Sequence, residues 1–210
     1  MRRQLEPVWL TQLILCCFVP IRVGDRGIRR QVFERIWKRV WIEQGYATQD
    51  NLSEIETHYR SLRRWSIDVV MTFCLIPIGT MRLIRRNSVV PLPIEADFAV
   101  TVPWAEKDLV VEITLLTVLS RFRNLCKGLP FLALTRYSYR KSKKMGVRFM
   151  AMAADARLFR ILQRTLKLPF RQIGDARFYE GSNTVPAAMN VYEAEEVVPK
   201  DNPTLAKLFR

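Results

Sequence analysis

The chain is poor in the residues that most catalytic centres need. Its 210 residues include one histidine, four cysteines and eight glycines. A Ser-His-Asp or Cys-His triad would hang on His58 alone, and His58 lies in a polar stretch that reads as surface. Cys16, Cys17, Cys74 and Cys126 have no C-x-x-C spacing, and a single histidine does not complete a zinc site, so no metal is expected. They read as reduced, mostly buried thiols in a cytoplasmic compartment. No G-x-G-x-x-G, G-x-x-x-x-G-K-S/T or G-x-S-x-G occurs, which removes the dinucleotide turn, the phosphate loop and the nucleophile elbow. No apolar run reaches the roughly 20 residues of a bilayer span. The stretch 8–20 follows Met1-Arg2-Arg3 but holds Thr11 and Gln12 and lacks a small-x-small cleavage site. It reads as a helix or strand packed on the domain, with peripheral membrane contact as the lesser alternative.

Acids are the second scarcity. They number 20 against 34 lysines and arginines, for a net charge of +14. The excess is focused: residues 121–171 carry 14 bases and one acid, whereas residues 91–120 carry one base and five acids. Such a field attracts an acidic partner, whether nucleic acid, anionic lipid, a phosphorylated cofactor or an acidic protein. No helix-turn-helix, finger or RNP pattern accompanies it, so nucleic acid is the weaker choice.

What is present suits one ordered domain, since 49% of the residues are apolar and no repeat or low-complexity segment occurs. Phe33, Ile36, Trp37, Val40 and Trp41 recur at helical spacing within a helix over 27–44. Leu52, Ile55, Tyr59 and Leu62 mark a second, weaker helix. Strands follow at 67–74 and 78–84, then an irregular excursion over 85–107 with at most one short strand. The segment 109–118 is apolar on both faces and is therefore a central strand. A helix over 131–145, a strand over 147–153, a helix over 156–166 capped by Asp155, and strands over 170–178 and 187–194 complete the order. The middle strand–helix–strand unit predicts a parallel pair, and the flanking hairpins predict antiparallel ones.

Two charges stand out inside apolar strands. Glu112 is either one half of a structural ion pair, with Arg82 as partner, or a general base for an attacking ammonium group. Arg82 is either an edge arginine bound to a carboxylate or a fixed fork that orients a carboxylate, a carbonyl or Glu112. The lysines and arginines of residues 121–171 recur at helical spacing on one side of two successive helices. They read as a docking surface rather than an ordinary solvated face, because ordinary surfaces mix the signs.

Several phrases taken in order resemble the GNAT acyltransferase superfamily, and within it the long-chain N-acyl amino acid synthases and acyl-homoserine-lactone autoinducer synthases. They are VFERIWKRVWIEQGY at 32–46, IGTMRLI at 78–84, PLPIEADF at 91–98, EITLLTV at 112–118 and FYEGSNTVPA at 178–187. The resemblance implies an α/β (α+β) fold of three layers, with a central twisted mixed sheet flanked by helices. It places the acyltransferase domain at 18–197, between an N-terminal extension at 1–17 packing on the domain and a C-terminal tail at 198–210. It implies transfer of an acyl group, often long, from acyl carrier protein or coenzyme A to the amine of an amino acid or similar small amine. The thioester is then a co-substrate, and no cofactor is tightly bound. Glu112 and Arg82 match the family's strand glutamate and arginine and take the catalytic positions. Trp37, Trp41, Phe98, Thr114 and Thr117 are expected in the acyl and acceptor pocket. Arg121, Arg123, Arg136, Arg140, Lys143, Lys144, Arg157, Arg160 and Arg164 are expected to dock an acidic acyl carrier protein. The chain departs from the pattern at Thr114-Leu115, where relatives carry serine and a base, and it lacks the Q/R-x-x-G-x-G/A loop of ordinary acetyl-coenzyme A enzymes. A non-catalytic GNAT-like acyl- or carrier-binding protein and a basic nucleic-acid-binding protein are the competing readings.

Overall fold

The structure, a computed structural model, describes residues 16–203, 205 and 206; the side chains of residues 126 and 127 are not included. Of the segment 8–20, residues 8–15 lie outside the described residues. The elements in chain order are β1 (Phe18–Arg22), α1 (Ile28–Glu43), α2 (Leu52–Ser61), β2 (Ser66–Phe73), β3 (Ile76–Arg85), α3 (Pro93–Asp97) and β4 (Val110–Val118). Then come α4 (Leu129–Lys144), β5 (Phe149–Asp155), α5 (Ala156–Arg160) with a π-turn at Ile161–Thr165, β6 (Arg171–Gln172), β7 (Arg177–Tyr179), β8 (Ser182–Asn190) and α6 (Val191–Asp201).

One sheet holds the strands in the order β1-β2-β3-β4-β5-β8-β6, with β7 also on β8. Among the described residues only β4 and β5 are parallel. The sequence predicts that pair, because α4 is the crossover that joins its two strands. Alternation along the strands sends side chains to two cores. Met81, Leu83, Val111 and Ile113 pack with Leu134 and Tyr139 of α4 and Val198 of α6. Ile84 and Val110 pack on the other side with Phe33, Trp37 and Trp41 of α1 and Tyr59 of α2. The result is three layers, helices over sheet over helices, as the resemblance implies.

Several expectations change. The excursion over 85–107 holds no strand but the short helix α3, because Pro93 starts it and the Glu95 carboxylate accepts the Leu92 N–H at 3.0 Å. The strand expected over 170–178 is two short pieces, β6 and β7, with Gly174 between them bridging to Val100. The strand expected to reach 194 stops at Asn190, whose Oδ1 accepts the N–H groups of Tyr192 and Glu193 at 3.0 and 3.4 Å and starts α6. Helix α6 runs on to Asp201, and Leu205 and Ala206 are buried in the core. Cys16, Cys17 and Cys74 are exposed rather than buried.

A buried ion network ties the first half together. Asp68 on β2 stands directly opposite Arg82 on β3. Both are nearly sealed from solvent, at 3% and 1% exposure. The guanidinium grips the carboxylate with both prongs, Nε to Oδ1 at 2.5 Å and Nη2 to Oδ2 at 2.7 Å, and its Nη1 donates to the Tyr59 carbonyl. Arg30 of α1 also binds Asp68. The partner of Arg82 is therefore Asp68 and not Glu112, and Arg82 is an interior residue and not an edge one. Removing one side of such a pair leaves the other charge stranded. Arg82→Ala should cost about 3–5 kcal/mol of stability in urea unfolding. A loss under about 1 kcal/mol would show that α1, β2 and β3 do not depend on it.

Candidate active site

The site lies where β4 leaves β5. The two strands pair for three positions, from Val110↔Phe149 to Glu112↔Ala151, and no further. Beyond Glu112, β4 runs on to Val118 and β5 to Asp155 without pairing, so a wedge opens between them. On its other edge β4 carries a bulge. Thr80 faces Thr117 and Arg82 faces Thr114, so Leu115 and Leu116 together oppose Met81. Leu115 sits in the left-handed region, φ 49, where a residue with a Cβ is strained by roughly 1–2 kcal/mol. The Thr80 hydroxyl holds it, bonding the Leu115 carbonyl at 3.1 Å and the Thr117 hydroxyl at 2.7 Å.

The wedge contains a cavity of about 170 Å³. Of the residues that the resemblance implies for the site, Glu112, Trp41, Phe98 and Thr114 line it. Trp37 does not; it is buried beneath, with its indole N–H on Glu34 at 2.7 Å. Thr117 lines the adjoining groove instead, and Arg82 lines neither. Sequence reasoning missed Asp97, Tyr46, Tyr59, Tyr179 and Glu180, all of which line the cavity. Four of these, all but Tyr59, sit inside quoted family phrases, but nothing in their spacing marks them as neighbours.

Glu112 is 1% exposed, and its Oε2 accepts the Ile94 N–H at 3.0 Å. Burial pushes its carboxyl up to about 8; the Ile94 bond opposes this, and Asp97, Glu95 and Glu180 add to it. Glu180 is raised to about 7, first by burial and then by Asp97. The Tyr179 hydroxyl donates to Asp97 at 2.7 Å, and its own ionisation is pushed well up by burial and by that bond. Glu180 is delivered by the β7–β8 turn, with φ 44 at Glu180 and 73 at Gly181. A Cβ on Gly181 would lie 1.8 Å from the Gly45 carbonyl oxygen, so only glycine lets this turn close on the end of α1. The Thr114 hydroxyl oxygen is buried without a hydrogen-bond partner among the described residues.

A groove of about 900 Å³ continues from the cavity, sharing Tyr46, Leu116, Asp155, Leu158 and Ser182 with it. Val40, Val118, Phe131, Ile161 and Phe178 give it apolar walls, and Arg123, Arg157 and Arg160 stand along it. The structure thus divides the expected docking set. Arg136, Arg140 and Lys144 border a different groove, against Phe18 and Pro20 of β1. Lys143 faces α6, paired with Glu195. Arg121 stacks on Phe122 at 4.8 Å, and Arg164 lies exposed in the π-turn. His58 is exposed on α2 and lines none of these sites. Among the described residues no group of His, Cys, Asp and Glu fits a metal, and no helix is long and apolar enough to cross a membrane.

No protein-family model matches the chain, and no curated protein sequence does. Solved structures do match. FeeM, an N-acyl amino acid synthase from uncultured soil microbes, superposes with a TM-score of 0.66 at 14% identity, over 86% of this chain and 94% of that one. The AHL synthase LasI gives 0.64 at 11% identity, over 86% and 94%. An IAA acetyltransferase from Bacillus cereus gives 0.50 at 12% identity, over 82% and 99%. The fold is that of the GNAT acyltransferases.

Burial of Glu112 has a consequence for stability. Its carboxyl holds a proton up to about pH 8 in the folded chain, against about 4.5 when unfolded. Across that window the folded state binds a proton that the unfolded state has lost, so this group's contribution to stability falls as pH rises. Glu112→Gln removes the effect. Its melting temperature relative to the parent should climb between pH of about 5 and about 8. A difference that stays flat with pH would show that Glu112 is not held protonated.

Proposed function

We propose that the chain is an N-acyltransferase that moves an acyl group from a thioester to a small amine at Glu112. The observation that carries this reading is the wedge between β4 and β5, with one buried, protonatable carboxylate at its apex and a long apolar groove leading out. Past Glu112 the β4 backbone groups facing β5 have no ladder partner, so they can meet a thioester carbonyl as a strand would. The acyl chain lies along the apolar groove, and the amine sits in the cavity.

Glu112 takes one proton from the entering ammonium group. The freed nitrogen attacks the thioester carbonyl, the C–N bond forms, and the C–S bond breaks. The sulfur leaves with its electron pair and takes the second proton shed by the nitrogen, giving the amide and the free thiol, and Glu112 returns its own proton to solvent. The thioester is already activated, so alignment and deprotonation are most of what the protein must supply. Acyl carrier protein and coenzyme A present their thioesters on the same phosphate-bearing arm. Arg123, Arg157 and Arg160 suit that phosphate and an acidic carrier behind it. Arg82 takes no chemical step in this scheme; it positions β2, β3 and α2. The structural similarity to an N-acyl amino acid synthase and to an AHL synthase supports amine acylation. The Leu115 side chain in the cavity wall favours the one serious rival, a non-catalytic acyl-binding protein.

Several measurements test this. Glu112→Gln should lower turnover about 10²–10⁴-fold with saturating donor while the fold stays intact. For the parent, kcat/KM should fall as pH drops below about 8, where Glu112 holds its proton, and the variant should lose that step. Cells expressing the chain should accumulate N-acylated amines by mass spectrometry; no product with either thioester carrier would leave the acyl-binding rival. Reversing Arg123, Arg157 and Arg160 to glutamate should slow carrier-bound donor at low salt and spare a short carrier-free thioester. The same reversal at Arg136, Arg140, Lys143 and Lys144 should do much less. If the second set matters more than the first, the donor docks on α4 and not at the groove.

A further inference from the structure

The cavity at Glu112 has an unusual charge balance for this chain. Asp97, Glu112, Asp155 and Glu180 line it, and no lysine, arginine or histidine does. Asp155 is occupied with capping α5 through the Arg157 N–H. Asp97, Glu112 and Glu180 have no ion-pair partner among the described residues. Elsewhere the acids that are at least partly sheltered are matched, and those without an ion pair are exposed: Glu34, Glu56, Asp68, Glu95, Asp108, Glu193 and Glu195 each face an arginine or lysine among the described residues. In a chain with net charge +14, three sheltered carboxylates left unmatched at one cavity are the exception. Their mutual repulsion is visible in the upward shifts of Glu112 and Glu180, each of which Asp97 helps to raise.

Two further features point to a cation from outside. Trp41, Tyr46, Tyr59, Phe98 and Tyr179 give the cavity five aromatic walls, and ring faces attract ammonium groups. The Thr114 hydroxyl, in a residue 9% exposed on the cavity wall, has an oxygen without a partner, ready to accept from an N–H or bond an acceptor's polar atom. An amino acid acceptor would bring a carboxylate into this acidic space with no base to receive it. Arg177 stacks on Phe98 at 4.5 Å and on Tyr179 at 5.6 Å but does not line the cavity.

Building on the acyltransferase reading, we propose that the acceptor is a small diamine or polyamine rather than an amino acid. One amino group meets Glu112 and is acylated; a second, still protonated, is held between Asp97 and Glu180 against the aromatic walls. The step balances as before: one C–N bond forms, one C–S bond breaks, and the products are a mono-N-acylated diamine and a free thiol. The cavity volume of about 170 Å³ suits a thin, unbranched acceptor.

The test compares three molecules with the same four-carbon chain: putrescine, butylamine and γ-aminobutyrate. Calorimetric titration of the full chain without donor reads acceptor binding by itself, and acylation with octanoyl-coenzyme A and an octanoyl carrier protein reads turnover. Putrescine should bind at least about tenfold tighter than butylamine, as expected for a second charged contact in a sheltered site. γ-Aminobutyrate should bind weakest. Asp97→Asn combined with Glu180→Gln should erase putrescine's advantage over butylamine; the comparison of ligands on the unsubstituted protein stands even if that variant folds poorly. Binding of γ-aminobutyrate equal to or better than putrescine overturns the proposal, and so does equal binding of putrescine and butylamine or no binding of either. Selective putrescine binding with no product from either donor would support the diamine site and defeat the acyltransferase reading. Product formation from γ-aminobutyrate in preference to putrescine would do the reverse.

Discussion

Everything functional in this fold follows from the point at which β4 stops pairing with β5. A sheet normally satisfies each strand on both edges, and an unpaired interior edge leaves backbone groups exposed to whatever enters. Here pairing ends at Glu112 and Ala151, while both strands continue. The bulge at Leu115 and Leu116 works on the opposite edge, where the extra residue bends β4. Thr80 and Thr117 hold that bend with two buried hydroxyl contacts. The strain at Leu115 is thus countered from β3, a strand that does not touch the cavity. The scaffold half of the sheet, β1 to β3, is tied to α1 and α2 by the Asp68–Arg82 network and provides the fixed side against which β4 can diverge.

The charge distribution runs two ways at once. The outside is strongly basic, and Arg123, Arg157 and Arg160 bring that field to the groove. A few residues deeper the cavity is acidic. A path that is positive at its mouth and negative at its end sorts two substrates of opposite sign to two places. On the proposed function, an anionic donor would be drawn to the rim and a cationic acceptor past it to the carboxylates. The overlap of the two spaces at Tyr46, Leu116, Asp155, Leu158 and Ser182 is where a reacting pair would meet.

Much of the framework is readable from the sequence because it rests on periodicity. The apolar stripe of α1, the two-faced apolar run of β4 and the parallel β4–α4–β5 unit are all local patterns, and all are found. What is not readable rests on side chains that act at a distance. Asn190 ends β8 and starts α6 by capping, although its neighbours are as strand-like as those before it. Glu180 and Tyr179 reach the cavity only because Gly181 packs on Gly45, a contact across much of the chain. The basic residues show the same limit. Helical spacing groups Arg136 with Arg140 and Arg157 with Arg160, but spacing cannot reveal that the two helices face different grooves.

Asp68 and Glu112 show why one signal gave two outcomes. Each is a carboxylate inside an apolar strand, and on sequence grounds each is equally costly to bury. Register decides between them. Asp68 stands opposite Arg82, and α1 adds Arg30, so its charge is neutralised on the spot. Glu112 stands opposite Ile84 on one side and Ala151 on the other, so neither neighbouring strand offers a cation. Its only hydrogen bond among the described residues comes from the Ile94 N–H, which is too little to offset burial, and its proton is retained toward neutral pH. A carboxylate with a partner in register is a structural tie. One whose register partners are apolar, at the apex of a wedge, is left to exchange its proton with whatever the wedge admits.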